Sequence, residues 1–199
     1  ATVTSNVTMA IHPITGETYV AFTAHATPIG QGDGFVQKFN SVTAQWEAVG
    51  DSFSTGSSSS INISFNSTGI LYIGYKDYDL YSTHNVKKFN SVTGLWEMVG
   101  TAIATQDANN FRMILTPDDT PYVFYTDATA SNKGTVRKFN GSAWVTVGNA
   151  GFTPTSIINN SIAVSSTGSV YVAYSSWINS IMSASVMKFD GTSWQLAGT

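Results

Sequence analysis

A hexapeptide, KDYDLY, holds the densest group of side chains that could do chemistry. Asp77 and Asp79 alternate with Tyr78 and Tyr81, and Lys76 precedes them. A tyrosine ring can lie on the apolar face of a sugar while the neighbouring carboxylates accept hydrogen bonds from its hydroxyl groups. The hexapeptide therefore indicates a carbohydrate-binding surface, although the same rings could simply fill loops against the scaffold.

Residues in other variable segments extend this predicted ligand-binding set, namely His25, Asp127 and Trp177. Asp77 and Asp79 together could touch Ca²⁺, but the rest of an oxygen-rich calcium loop is missing around them. We therefore predict no metal and no cofactor.

Catalytic motifs are sparse in the chain. Cysteine is absent, which excludes thiolate nucleophiles and disulfides. The three histidines lie in separate segments, and the nucleophile-elbow, zinc, phosphate-loop and dinucleotide motifs are missing. We therefore predict that the protein is not an enzyme. A glycoside hydrolase would need only two carboxylates, and four residues could supply them: Glu17, Asp77, Asp79 and Asp127.

Composition narrows the classes of partner. The 199 residues are 42% hydrophobic and 11% charged, with a formal net charge of −3. Such a chain can form a folded core but lacks the basic surface that nucleic-acid phosphates require. No apolar run approaches the roughly 18 residues of a membrane span. We predict a globular protein that binds no nucleic acid and does not span a membrane.

One phrase recurs along the chain. KFNSVTAQWEAVG (38–50) and KFNSVTGLWEMVG (88–100) agree at ten of thirteen positions, and weaker copies occupy 138–148 and 188–198. A second phrase, with Tyr-Val-Ala-Tyr character, interleaves with the first. A regular repeat of this length indicates stacked structural units. The predicted units are 1–50, 51–100, 101–148 and 149–199.

Within each unit, four β-branched or aromatic runs alternate with turn residues, which predicts four strands. Asn40, Asn90, Asn140 and Asp190 are expected to close the turn before the last strand with a side-chain oxygen. A four-stranded sheet cannot bury both faces alone, so the units must stack. The prediction is an all-β, four-bladed β-propeller with one antiparallel sheet per blade. The repeated tryptophans are predicted to fill its core: Trp46, Trp96, Trp144 and Trp194.

The segments TGSVYVAYSS, SVMKFDGTSWQLAGT and TPYVFYTDATASNKGTVRKFNGSAWVTVGNAGF also resemble a known group of repeats. They are similar to highly repetitive propeller-like arrays of environmental and Bacteroidetes-type bacteria, with repeats close to YVAYxD and VMKFNGSSWxxVG. The resemblance implies a propeller that is exported and of unassigned function. The aspartate after the second tyrosine is present as Asp77 and Asp127, but Ala24 and Ser176 replace it elsewhere.

The connections within the predicted blades differ in length. An up-and-down sheet places its first and third turns at one end, and these are short. The other connections are long and variable, and they carry the predicted ligand-binding residues. Long loops on a rigid scaffold are where binding residues concentrate. The prediction therefore places the ligand at the long-loop end.

Three functions are compatible with this pattern. The first choice is a non-catalytic, lectin-like or protein-binding module, secreted or at the cell surface, whose partner is a glycan or another surface protein. The alternative is a structural repeat protein, such as a coat, spacer or filament subunit. A glycoside hydrolase ranks last. Because four units could also pair with a second copy, a homodimer that completes an eight-bladed ring is a further expectation.

Overall fold

The computed structural model describes residues 3–25, 32–80, 82–103 and 109–197. Within these residues the chain forms four antiparallel sheets of four strands each and one short 3₁₀-helix, Ala128–Ala130. The prediction of an all-β protein built from four-stranded antiparallel sheets is confirmed. None of the described helical residues forms a helix that could cross a membrane.

Each sheet is an up-and-down meander, with its strands side by side in chain order. The first sheet contains β1 (Val3–Ile11), β2 (Thr18–His25), β3 (Asp33–Asn40) and β4 (Gln45–Ala48). The second contains β5 (Ser58–Phe65), β6 (Leu71–Asp77), β7 (Thr83–Asn90) and β8 (Leu95–Met98). The third contains β9 (Asn109–Leu115), β10 (Pro121–Asp127), β11 (Lys133–Phe139) and β12 (Trp144–Thr146). The fourth contains β13 (Asn159–Val164), β14 (Val170–Ile178), β15 (Ile181–Phe189) and β16 (Trp194–Leu196).

The repeated phrases pair in the same register in every sheet. The tyrosine near the start of the second strand faces the repeated lysine: Tyr19 and Lys38, Tyr72 and Lys88, Tyr122 and Lys138, Tyr171 and Lys188. A one-residue slip would exchange the two faces of a strand, so the shared register gives equivalent residues equivalent faces.

The predicted turns before the last strands are confirmed. Asn40 Oδ1 accepts hydrogen bonds from the backbone N–H groups of Val42 and Thr43, at 2.9 and 3.2 Å. Asn90, Asn140 and Asp190 accept the same pair of bonds in the other sheets. The side chain thus replaces a backbone turn, as asparagine and aspartate do elsewhere.

The chain divides into two compact units, Ala1–Gln106 and Asp107–Thr199, each containing two sheets. In the first unit β1 packs against β5, and in the second β9 packs against β13. Each unit has its own apolar core between its two sheets. The core of the first includes Phe53, Ile73 and Tyr75, and that of the second includes Phe124 and Val172.

The tryptophans fill the core less uniformly than predicted. Trp194 is buried, stacks on Phe152 with ring centroids 4.4 Å apart, and donates its indole N–H to the carbonyl of Val147. Trp96 is half-buried, meets Phe53 edge to face at 6.1 Å and donates its indole N–H to the carbonyl of Asp51. Trp46, by contrast, is 47% exposed. It belongs to the first sheet, whereas the equivalent Trp144 of the third sheet is buried.

Candidate functional site

The predicted ligand-binding residues are divided between the two units. Lys76 and Asp77 end β6, and Tyr78 and Asp79 follow it, all in the first unit. Asp127 ends β10, and Trp177 lies on β14, both in the second unit. Tyr81 and the side chain of His25 lie outside the described residues.

Asp77 and Asp127 are buried and hydrogen-bonded to their own loops. Asp77 is 0% exposed, and its oxygens accept from the backbone N–H groups of Thr55, Asp79 and Leu80 at 3.1 to 3.2 Å. Asp127 accepts from the N–H of Thr129 at 3.0 Å and from two threonine hydroxyls. Such bonds hold the loops in place and leave little carboxylate surface for a ligand.

The other residues of the predicted set are partly engaged with neighbours. The Lys76 ammonium lies 5.1 Å from the centre of the Tyr78 ring, and the Tyr78 hydroxyl is 3.0 Å from Ser59 Oγ. Asp79 accepts from the backbone N–H of Ser57 at 3.2 Å. Trp177 is exposed on the last sheet. The role of these residues in ligand binding stays a prediction.

A groove of about 480 Å³ lies in the first unit, at the short-turn end of its two sheets. We call it the His12 groove. Side chains from both sheets line it, with aromatic rings beside polar groups: His12, Tyr19, Lys38, Phe65, Phe89 and Ser91. The sequence-based prediction pointed to the opposite, long-loop end and missed this groove.

His12 is held in one orientation. Its Nδ1 accepts hydrogen bonds from the backbone N–H groups of Ile14 and Thr15, each at 3.2 Å, so the ring proton resides on Nε2. The ring lies 4.8 Å from Phe65 and directly over Gly69. A Cβ at Gly69 would come within 2.6 Å of Nε2, so only glycine lets the imidazole lie there.

Two carboxylates flank the lysine of the groove. Lys38 Nζ is 3.6 Å from Glu17 Oε1 and 3.8 Å from Glu47 Oε2. The hydrogen bond from the Thr15 hydroxyl, 2.8 Å long, is the main reason that the pKa of Glu17 is lowered, and the charge of Lys38 adds to it against a contribution from burial. Burial raises the pKa of the neighbouring Tyr19, with a further contribution from Glu17. Glu17 is therefore ionised at neutral pH, and Tyr19 keeps its proton.

The repeats show which part of this arrangement is special. The second sheet repeats the lysine–glutamate pair, with Lys88 Nζ 3.7 Å from Glu97. An asparagine also bonds each glutamate, Asn40 to Glu47 at 2.6 Å and Asn90 to Glu97 at 2.7 Å. The place of Glu17 is taken in the second sheet by Ile70. Only the first sheet adds a second carboxylate to the repeated pair.

The second unit carries a groove of similar volume at the equivalent turns, lined by Thr116, Asp118, Tyr122 and Gly168 among others. Its carboxylate, Asp118, has a lowered pKa chiefly because the Thr116 hydroxyl bonds to it. The lysine flanked by two carboxylates has no counterpart among its lining residues. A departure from the repeat, Glu17, was the one sequence signal that could have located the His12 groove.

Neither a protein-family profile nor a curated protein matches the sequence. Solved structures do share the fold. An ulvan lyase of polysaccharide lyase family PL25 has a TM-score of 0.64 and 12% identity, over 97% of this chain and 57% of that one. The exo-β-1,3-galactanase 1,3Gal43A of Clostridium thermocellum has a TM-score of 0.57 and 12% identity, over 98% and 49%. A β-1,3-galactosidase of family GH43 has a TM-score of 0.58 and 9% identity, over 96% and 74%. The chain thus spans between about half and three quarters of the length of these proteins.

These neighbours correct two predictions. They are glycoside hydrolases and a polysaccharide lyase, so the interpretation as a non-catalytic binding module, with a structural repeat protein as its alternative, is wrong. The prediction that the protein is not an enzyme is wrong on the same finding. Contiguous sequence motifs do not detect a site composed of single residues from separate strands.

Proposed function

We propose that this protein is a glycoside hydrolase that cleaves a neutral polysaccharide in the His12 groove. The observation that carries the proposal is the pair of carboxylates, Glu17 and Glu47, on either side of Lys38. The fold shared with a galactanase and a galactosidase supports it.

The shared lysine sets an upper limit to the distance between the two carboxylates. Because both lie within 4 Å of the same Lys38 nitrogen, their nearest oxygens cannot be further apart than the sum of those two distances. Glycoside hydrolases use carboxyl groups about 5 to about 9.5 Å apart, depending on whether one attacks the sugar or activates a water. The upper limit for the distance between Glu17 and Glu47 lies inside this range.

Glu17 and Glu47 have different roles in the proposed reaction. Glu17, with its lowered pKa, is ionised and serves as the base or nucleophile at the sugar carbon. Glu47 is the other carboxyl group of the pair and takes the role of the acid at the leaving oxygen. Once the proton has passed to the leaving oxygen, two carboxylates and one ammonium carry a net negative charge, which stabilises the positive charge that develops on the sugar ring.

The aromatic residues of the groove suit a pyranose ring. Tyr19 and Phe65 lie edge to face with centroids 4.9 Å apart, and His12 lies against both rings. Their faces offer an apolar surface, and His12 Nε2 offers a proton to a sugar hydroxyl. The imidazole is thus a positioning group, fixed by its bonds to the turn.

Charge argues against a lyase that acts on uronic acids in this groove. Such an enzyme must neutralise the carboxylate of its substrate, which requires a cation available to it. Lys38 is instead shared by two carboxylates. A negatively charged polymer would meet a lysine that is already paired and the ionised Glu17 beside it, so neutral sugars fit better.

We also propose that the four sheets are blades of a β-propeller and that the protein works outside the cell. The stacking of first strands within each unit supports the first point. A chain without cysteine and with few charged residues, acting on a polymer, suits export.

The decisive experiment measures reducing sugar released from β-1,3-galactan, β-1,4-xylan and ulvan. We expect release from a neutral polymer, with Glu17→Gln and Glu47→Gln each lowering the rate by about 100-fold or more. The matched control is Glu97→Gln, because Glu97 has the same lysine and asparagine partners in the second sheet, and it should retain the wild-type rate. Unsaturated products from ulvan, or full activity in Glu17→Gln, would refute the assignment.

A further inference from the structure

The first sheet has one face that no neighbouring sheet of its unit covers. We call it the first free face. It forms a shallow depression of about 260 Å³ lined by uncharged residues: Thr4, Val7, Val20, Phe22, Gln37 and Trp46. Nearly half of the Trp46 surface is open to solvent.

Equivalent positions are buried in the other three sheets. Val20 occupies the register position of Ile73, Val123 and Val172, each with almost no exposed surface. Phe22 occupies the position of three buried tyrosines: Tyr75, Tyr125 and Tyr174. The first free face therefore has the composition of an internal face that lacks its cover.

The fourth sheet leaves its other face uncovered, the face that carries Ala21 and Val36 in the first sheet. We call it the second free face, formed by Ala173, Val186 and Ala197. Ala173 pairs with Val186 as Ala21 pairs with Val36 in the first sheet. Val186 is 42% exposed, whereas Val36 is 2% exposed.

These two kinds of face pack against each other inside each unit. In the first unit Ala21, Val36 and Val49 pack against Ile73 and Tyr75. In the second unit the same contact is made by Phe124, Val136 and Val147 with Val172 and Tyr174. Within their own units, therefore, the first sheet leaves a face of one kind uncovered and the fourth sheet leaves a face of the complementary kind uncovered.

We propose that the second free face of one copy packs on the first free face of a second copy, and reciprocally, so that two copies form a symmetric dimer. The residues named for both faces are all uncharged. Their contact would therefore bury apolar area without burying an unpaired charge. A reciprocal pair of such contacts closes on itself under two-fold symmetry. The dimer would contain eight sheets, in line with an eight-bladed ring.

The test is the mass in solution, measured by light scattering at micromolar concentration. Wild-type protein is expected at twice the single-chain mass of 21.2 kDa. Val186→Glu in the second free face and Phe22→Glu in the first should each lower the mass to that of one chain. The matched control is Val92→Glu, because Val92 is exposed in a turn of the second sheet, and this variant should remain dimeric.

Circular dichroism and thermal unfolding identify variants that fail to fold. A folded, monomeric Val186→Glu protein supports the proposal. Wild-type protein at the single-chain mass would overturn it. So would a mass that keeps growing with concentration, or a dimer unaffected by both face variants. The result is independent of the hydrolase assignment, since the His12 groove lies wholly within one unit.

Discussion

At the scale of single residues, carboxylate side chains have different roles that depend on their burial and on their partners. Asp77 is buried and accepts bonds from three backbone N–H groups, so it holds a loop. Glu17 is partly exposed and lies beside Lys38, which lines the His12 groove. Residue type and spacing in the sequence do not distinguish these two situations, because the partners come from segments distant along the chain.

His84 is a buried residue with a measurable consequence for stability. Burial chiefly, with the charge of Lys76, lowers the pKa of His84 from 6.5 to about 3. The unfolded chain therefore binds a proton below about pH 6.5 that the folded chain does not bind until about pH 3. As the pH falls through that window, this one group should lower the free energy of unfolding by about 1.4 kcal/mol per pH unit.

Chemical denaturation at several pH values, comparing wild type with His84→Gln, checks this expectation. The variant, which has no titrating group at this position, should lose less stability between pH 6.5 and pH 4 than wild type does. Parallel curves for wild type and His84→Gln would show that His84 titrates normally in the folded state.

At the scale of elements, the repeat makes one turn a matched pair. Ala44 in the first sheet has φ of 55°, at the position where Gly94 in the second has φ of 72°. This left-handed conformation suits glycine and strains alanine. A Cβ at Gly94 would meet no atom within 4 Å, so the difference is one of backbone conformation alone.

We expect opposite effects from exchanging these two residues. Ala44→Gly should raise the free energy of unfolding by about 0.5 to 1 kcal/mol, and Gly94→Ala should lower it by a similar amount. Urea denaturation measures both. The same sign for both variants would contradict the assignment of left-handed backbone at this turn.

The strands and turns could be predicted because their signals are local. Alternating apolar residues and the asparagine before the last strand act within a few residues, and the fifty-residue period repeats these local signals in each sheet. The His12 groove could not be predicted in this way, since Lys38, Phe65 and Phe89 reach it from two sheets. The exposure of Trp46 likewise depends on which sheet covers it, and its repeat environment predicted burial.

At the scale of the whole molecule, function depends on which end of the sheets holds the site. The long loops carry the sequence variation, yet the described residues there are largely occupied with one another. The short turns are nearly uniform, but a single departure among them, Glu17, places a second carboxylate beside Lys38, which lines the His12 groove. In a protein built of similar repeats, a candidate site can therefore lie where one residue differs from the repeat.

The most direct test of this account is the location of a bound neutral oligosaccharide, mapped by amide chemical-shift changes in ¹⁵N-labelled protein during titration. We expect saturable changes at Thr15, Gly69 and Ser91, around the His12 groove, which are lost in Tyr19→Ala. Changes confined to Tyr78 or Trp177 at the long-loop end, or none with any neutral oligosaccharide, would contradict it.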